Sequence, residues 1–261
     1  MPKNMPVYIV AAGPDGRAAA SLSMPCGYPV YSIGAGGALV RAELPVGARG
    51  GLLGLSDHDA PIEHLDLQRL CRDLMGECSR RGYGGILLDF ERRELGPLAS
   101  ELSRLLSQRG VPHYVPLELA AAAPGARVLV PSSISGGAFA QMLRSYCRRL
   151  GPSRLALDVV RLCNQYPMPS YDPDGTPLSA RDFHALLEQY DPTCFFSKEL
   201  CAKYFTYHTG EGAHFVLYDD VASTWEKIAV ANRLGFCGAF VLYRDFGTAC
   251  RQLSLNQPAG L

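Results

Sequence analysis

No apolar run in the sequence approaches the roughly 20 residues that a membrane-spanning helix needs. The opening stretch, "MPKNMPVYIVAAGPDG", has too short an apolar part and no small-residue cleavage site, so no export signal is read there. Neither sign of charge is in excess. Lys+Arg and Asp+Glu number 25 each, so no basic surplus favours nucleic acid or an anionic membrane as the main partner. No C-x-x-C pair occurs among the nine cysteines. Cys71 and Cys78 lie on one helix pattern and Cys194 and Cys201 stand seven apart, and neither spacing makes a zinc knuckle. Small buried thiols in a reducing compartment are expected, with the cytoplasm as the default location. The six histidines show no metal spacing. A G-x-G-x-x-G turn is missing too: "AAGPDGRAAA" lacks the spacing and "SIGAGGA" lacks a helix pattern after it. Without a G-x-S-x-G elbow, no Ser-His-Asp triad can be placed.

What the chain does contain is a recurring short apolar strand, often followed by an amphipathic helix. Strand candidates are "VYIVAA" (6–11), "ALVRAEL" (38–44), "GLLGLSD" (51–57), "GGILLDFE" (84–91), "HYVPLEL" (113–119), "LALDVV" (155–160), "HFVLYDD" (214–220) and "GAFVLY" (238–243). Two further runs, "RVLVPSS" and "CFFS", read as excursions, the first forming a hairpin with what precedes it. Helix patterns span 62–82, 97–110, 137–151, 179–190 and 221–235, several ending on basic residues and glycine. Apolar strands alternating with helices imply a parallel sheet covered on both faces. Eight such units in 261 residues predict a single-domain (β/α)8 TIM barrel over 1–261, a fold of roughly 250 residues. An open doubly wound sheet is the alternative, and it lacks its phosphate turn.

The stretch "GYGGILLDFERRE" (82–94) ends an apolar strand on two acids. Side chains alternate along a strand, so Leu87, Asp89 and Glu91 share one face while Ile86, Leu88 and Phe90 share the other. In a barrel the apolar set belongs against the helices. Asp89 and Glu91 would then stack inside, at the C-terminal mouth where barrel enzymes keep their chemistry. The competing reading is that the acids simply begin a solvated loop, with Arg92 or Arg93 as surface partners.

"GGILLDFE" resembles the fourth-strand signature of family 18 glycoside hydrolases, the chitinase-like barrels, written D-G-x-D-x-D-x-E. Glu91 falls on the final Glu, Asp89 on the last Asp, Phe90 on an aromatic position and Gly85 on the Gly. The tail "HFVLYDDVASTWEKIAVANRLGFCGAFVLYRDFG" (214–247) is similar too, with Tyr-Asp-Asp at a strand end, a Ser and a Lys on the next helix, and a Gly-x-x-Gly turn before the last strand. The resemblance implies substrate-assisted hydrolysis of N-acetylglucosamine-containing glycans, an exception among retaining glycosidases. Glu91 would be the general acid and base, and Asp89 would orient the 2-acetamido group. A carbohydrate is the implied partner, and no metal or cofactor is needed.

The departures are specific. Gly84 and Leu87 stand where the pattern has its two earlier acids. Tyr243 ends the last strand where the enzymes commonly have Trp under the reacting sugar, and the one tryptophan, Trp225, is on a helix. The Met-x-Tyr-Asp pattern of strand six is absent from "LALDVV", which offers Asp158. Among the remaining strand ends, Glu118 would either line the mouth or form a salt bridge. One of Tyr218 and Asp219 would face inward, with Asp220 capping the next helix. Tyr243 would be a stacking platform, and Arg244 and Asp245 a pair. "CAKYFTYH" (201–208) is either a glycan rim or packing under a loop. His58 is the histidine nearest the mouth, or a polar loop residue. A glycan-binding barrel that does not cut, and a barrel enzyme of unrelated chemistry, are the rival readings.

Overall fold

The structure, a computed structural model, describes residues 5–42, 50–58, 65–134, 136–210 and 212–253. Its strands in chain order are β1 (Val7–Val10), β2 (Cys26–Ile33), β3 (Leu39–Arg41), β4 (Leu52–Ser56), β5 (Gly85–Asp89), β6 (His113–Pro116) and β7 (Arg127–Pro131). There follow β8 (Leu155–Val159), β9 (Cys163–Met168), β10 (Thr176–Pro177), β11 (Phe195–Ser197), β12 (Ala202–Thr209), β13 (Gly212–Tyr218) and β14 (Gly238–Leu242). The helices are α1 (Gly13–Ala20), α2 (Leu67–Arg81), α3 (Gly96–Gln108), α4 (Phe139–Leu150), α5 (Ala180–Tyr190), α6 (Val221–Arg233) and the short α7 (Tyr243–Phe246).

Strands β1, β2, β4, β5, β6, β7, β8 and β14 pair in parallel in that order, and β14 returns to β1, closing an eight-stave (β/α)8 barrel. The expected number of staves is present, but two members differ. Stave two is β2, which carries Pro29, and its register with β4 shifts between Pro29 and Tyr31. A proline inside a run argues against a central strand, yet it is tolerated at such an irregularity. The described part of the expected strand 38–44 is instead β3, an antiparallel flap on β2. Stave six is β7, the run read as an excursion. It follows β6 after only a 3-10 turn at Leu117–Leu119, so the strand–helix rhythm breaks there. The Arg154 guanidinium donates to the carbonyls of Ala120, Ala123 and Ala126, satisfying the turn that replaces a helix. Residues 43–44 and 62–64, and the side chain of Arg93, fall outside the described residues.

Strand β13 also departs from the expected order. It belongs not to the barrel but to a five-stranded antiparallel sheet, ordered β10-β9-β13-β12-β11, inserted between staves seven and eight. Helix α5 covers one face, where Phe183 packs 4.8 Å from Tyr218 and Tyr190 packs 4.6 Å from Tyr207. Phe205 is wholly buried in the same cluster, so this face of "CAKYFTYH" is packing. On the other face Tyr204 is half-buried and stacks on Phe195, ring centroids 5.5 Å apart.

Helix ends follow their local chemistry. The Asp66 carboxylate accepts from the Arg69 N–H at 2.9 Å to start α2, and Gly82 ends it at φ +69°, where a side chain would be strained. Asp220 and Ser223 form a reciprocal capping box on α6. Inside the barrel, Leu52, Leu87, Tyr114, Leu129, Ala156 and Phe240 make one apolar layer. Ile86, Leu88 and Phe90 pack instead into the larger core beneath the helices. Each large aliphatic or Phe side chain so buried contributes roughly 1.5–3 kcal/mol.

Candidate active site

Above that interior layer the barrel opens into a cavity of about 440 Å³. Its wall comes from the C-terminal ends of staves four to seven: Asp89, Glu91 and Arg92; Pro116, Leu117 and Glu118; Leu129 and Pro131; and Asp158. The size falls within the range of roughly 300–1,000 Å³ typical of small-molecule sites. The two-residue period explains the layering. Asp89 sits one step above Leu87 on stave four, and Asp158 one step above Ala156 on stave seven. Asp89 and Asp158 are half-buried, while Glu91 and Glu118 are exposed at the rim.

Four carboxyl groups thus face one cavity. Among the described residues none of the four side chains makes a hydrogen bond or an ion pair. Arg92 is the one basic residue in the described wall, and its Nε lies 3.1 Å from Glu94. Burial, then the charges of Glu91 and Asp57, pushes the Asp89 carboxyl above its ordinary range. Asp158 is pushed up to about 6, first by burial and then by Asp89 and Glu118. A carboxylic acid that keeps its proton into that range is suited to donate a hydrogen bond or a proton.

Asp57, which the sequence reading passed over, braces this arrangement from stave three. Its buried side chain accepts the backbone N–H of Arg92 at 2.8 Å, fixing the segment just after Glu91. The sequence signal was an acid closing the apolar run of stave three, as Asp89 closes that of stave four; Ser56 pairs with Asp89 in register, so Asp57 comes one residue beyond that level. His58, by contrast, is exposed and does not line the cavity. Among the described residues no group of three or more His, Cys, Asp or Glu side chains is placed to hold a metal ion.

Three expected ligand residues lie elsewhere. Asp219 is 2% exposed and salt-bridged to Lys227 at 2.7 Å, so it is unavailable to a ligand. Tyr218 is buried beneath α5, because β13 is in the inserted sheet rather than the barrel. Tyr243 packs with Ala239 and Val241 in the outer core, whereas Phe240 lies in the interior layer. Alternation therefore gives the inward place at the end of stave eight to Leu242, not Tyr243. Trp225 also packs against the outer core. Arg244 and Asp245 approach to 3.8 Å outside the cavity wall.

No family model matches the chain, and no curated protein sequence matches it. Solved structures do. A chitinase from Chromobacterium violaceum ATCC 12472 aligns at 17% identity and TM-score 0.63, over 98% of this chain and 100% of that one. The spore cortex-lytic enzyme SleL of Bacillus megaterium QM B1551 aligns at 13% identity and TM-score 0.62, over 100% and 77%. A class V chitinase from Nicotiana tobaccum in complex with NAG4 aligns at 9% identity and TM-score 0.65, over 96% and 98%. At such identities the likeness is one of fold. The chain shares its overall fold with these solved chitinases and the cortex-lytic enzyme, the barrel that the fourth-stave signature implied.

Proposed function

We propose that the protein is a glycoside hydrolase acting on N-acetylglucosamine-containing glycans by a substrate-assisted, retaining mechanism. The observation that carries this reading is the placement of Asp89 and Glu91 together in the wall of one mouth cavity, with no described hydrogen-bond or ion-pair partner on either side chain. The fold similarity to chitinases, one of them bound to NAG4, supports the choice of sugar.

In the proposed reaction the acetamido oxygen of the bound sugar attacks its own anomeric carbon while the bond to the leaving oxygen breaks. Glu91, exposed at the rim, gives its proton to that oxygen. Asp89 accepts the acetamido N–H and balances the positive charge that develops on the oxazolinium ring. Water then adds to the anomeric carbon, Glu91 takes back a proton, and the ring opens to the N-acetylated product. Glu118, also at the rim, is placed to accept from sugar hydroxyls.

The test is Glu91→Gln. Turnover of a chromogenic N-acetylglucosaminide or chitin oligosaccharide should fall by at least about 100-fold, the scale of a lost general acid, with the circular dichroism spectrum unchanged. Equal activity in wild type and variant would remove the assignment. A second reading, a barrel that binds such glycans without cutting them, is favoured by one observation. Leu87 is buried in the apolar layer beneath Asp89, where the enzyme signature has an acid. In that case the wild type would bind chitin oligosaccharides in calorimetry and release no product.

A further inference from the structure

We propose that the cleft between the β3 flap and the C-terminal half of α2 binds a small molecule carrying a phosphoryl dianion. The cleft lies on the outer side of the barrel and shares no lining residue with the mouth cavity, so it stands apart from the hydrolase reading. It has a volume of about 350 Å³ and is lined by Tyr31, Leu39, Arg41, Asp73, Glu77 and Arg80. That volume is within the small-molecule range.

The organising group is Glu77, whose side chain is 6% exposed. Its Oε1 accepts from Arg81 Nε at 2.7 Å, from the Tyr31 hydroxyl at 2.9 Å and from Arg41 Nη1 at 3.3 Å. Its Oε2 accepts from Arg80 Nη2 at 2.6 Å. Burial alone would raise the Glu77 carboxyl. The bonds from Arg81 and Tyr31, with the charges of Arg80 and Arg81, outweigh it and hold the group below its ordinary range, so it is ionised. One guanidinium would neutralise it, and three converge. Asp73, the other acid of the lining, has Arg69 Nε 3.9 Å away. Among the described residues, Arg41, Arg69, Arg80 and Arg81 therefore stand against Glu77 and Asp73, four positive charges to two negative.

Basic residues in the last turn of a helix also complement its dipole, and that accounts for Arg80 and Arg81. It does not account for Arg41, which arrives from β3, outside the ring of staves. Each guanidinium is a planar fork of five donors, and Arg41 and Arg80 line the cleft with more donors than Glu77 engages. Such forks match the oxygens of a phosphoryl group. Because three of the cations gather on one carboxylate, a ligand with two charges on a single group balances them better than a dicarboxylate with its charges apart. Leu39 supplies an apolar wall for the organic part.

The experiment is calorimetric titration of the intact protein at about pH 8, where a phosphate monoester is dianionic. Inorganic phosphate and glycerol 3-phosphate are the titrants, at constant ionic strength, with sodium chloride as the control. Wild type should bind both with a Kd of about 1 mM or tighter, the ester at least as tightly as the ion. Arg41→Gln and Arg80→Gln should each weaken binding by about 10-fold or more, the scale of a lost charge-assisted hydrogen bond. The Arg80 side chain is 73% exposed, so this variant should keep the wild-type circular dichroism spectrum and carries the test if Arg41→Gln does not. Arg104→Gln removes an exposed arginine paired with Glu101 on α3 and should bind as wild type. Wild type that binds neither titrant, or affinities unchanged in the cleft variants, would overturn the proposal. So would an equal loss in Arg104→Gln, which marks general charge attraction, or binding of phosphate without the ester.

Discussion

Asp89 and Asp219 each terminate an apolar strand, and their surroundings are opposite. Asp219 is 2% exposed, and its carboxylate accepts from Lys227 Nζ at 2.7 Å, from Ser223 Oγ at 3.1 Å and from the Leu162 N–H at 3.1 Å. Its own N–H donates to the Leu162 carbonyl at 2.7 Å. Leu162 begins the excursion from the barrel and Asp219 ends it, so these bonds staple the two ends of the inserted sheet together. Asp89 has no such partner among the described residues, and the charges acting on it are those of Glu91 and Asp57. The first acid is committed to the architecture; the second lines a cavity with its carboxyl unbonded among the described residues. A strand-end carboxylate becomes a candidate for chemistry when its neighbours are other acids rather than a cation.

The sharpest way to break this contrast is to remove the cation. Lys227→Met leaves the Asp219 carboxylate buried without its counter-charge, and should cost about 3–5 kcal/mol in urea-monitored unfolding. Asp219→Leu combined with Lys227→Met should recover most of that loss, since replacing both partners removes the unpaired charge. A loss below about 1 kcal/mol in the single variant would mean that the staple is not structural, and the comparison would dissolve.

The sequence carried enough to place one of these acids and misplace the other. Stave four was legible because its period of two is clean, with Ile86, Leu88 and Phe90 going to the helices and Leu87 inward. Asp219 misled because "HFVLYDD" ends as a barrel strand would, while its side-chain partners Ser223 and Lys227 arrive on α6. Ser223 and Lys227 stand four and eight residues on, along one helical face, a spacing that points back at the strand end. Stave two was hidden by Pro29, and stave six by a connection too short for a helix. Both are cases where tertiary closure of the barrel overrides the local pattern. Tyr243 missed the mouth by a single residue, and in a strand one residue is the difference between the two faces.

The opposite sign is expected at the mouth. Burial and the charges of Asp89 and Glu118 push the Asp158 carboxyl up to about 6, above the roughly 4 of an unfolded chain, so the folded state holds its proton more tightly. Its stabilising contribution is complete below about pH 4 and is lost as pH rises through about 6. Asp158→Asn should therefore gain about 2 kcal/mol at pH 8, somewhat less than the full shift implies because the group is partly solvated, and nothing at pH 4. Denaturation at the two pH values checks it. A variant less stable than wild type at pH 8 would put Asp158 with Asp219, among the acids that hold the fold together.

Asp57 lies between the two extremes and gives the smallest effect. Like Asp219 it is buried and accepts a backbone N–H, here from Arg92, yet its charge also reaches Asp89. The hydrogen bond and the charge can be separated. Asp57→Asn keeps an acceptor oxygen for Arg92 and should change stability by less than about 0.5 kcal/mol, while Asp57→Ala strands a donor and should cost about 1–2 kcal/mol. Removing the charge in either variant relieves repulsion on Asp89, so the Asp89 titration should move down in both, measured by 13C NMR of the side-chain carboxyls. If Asn were as damaging to stability as Ala, the negative charge rather than the hydrogen bond would be holding the Glu91 segment in place. The mouth would then depend on a charge interaction of its own, and the division between acids that build and acids that react would have to be drawn inside the cavity instead of between the two regions.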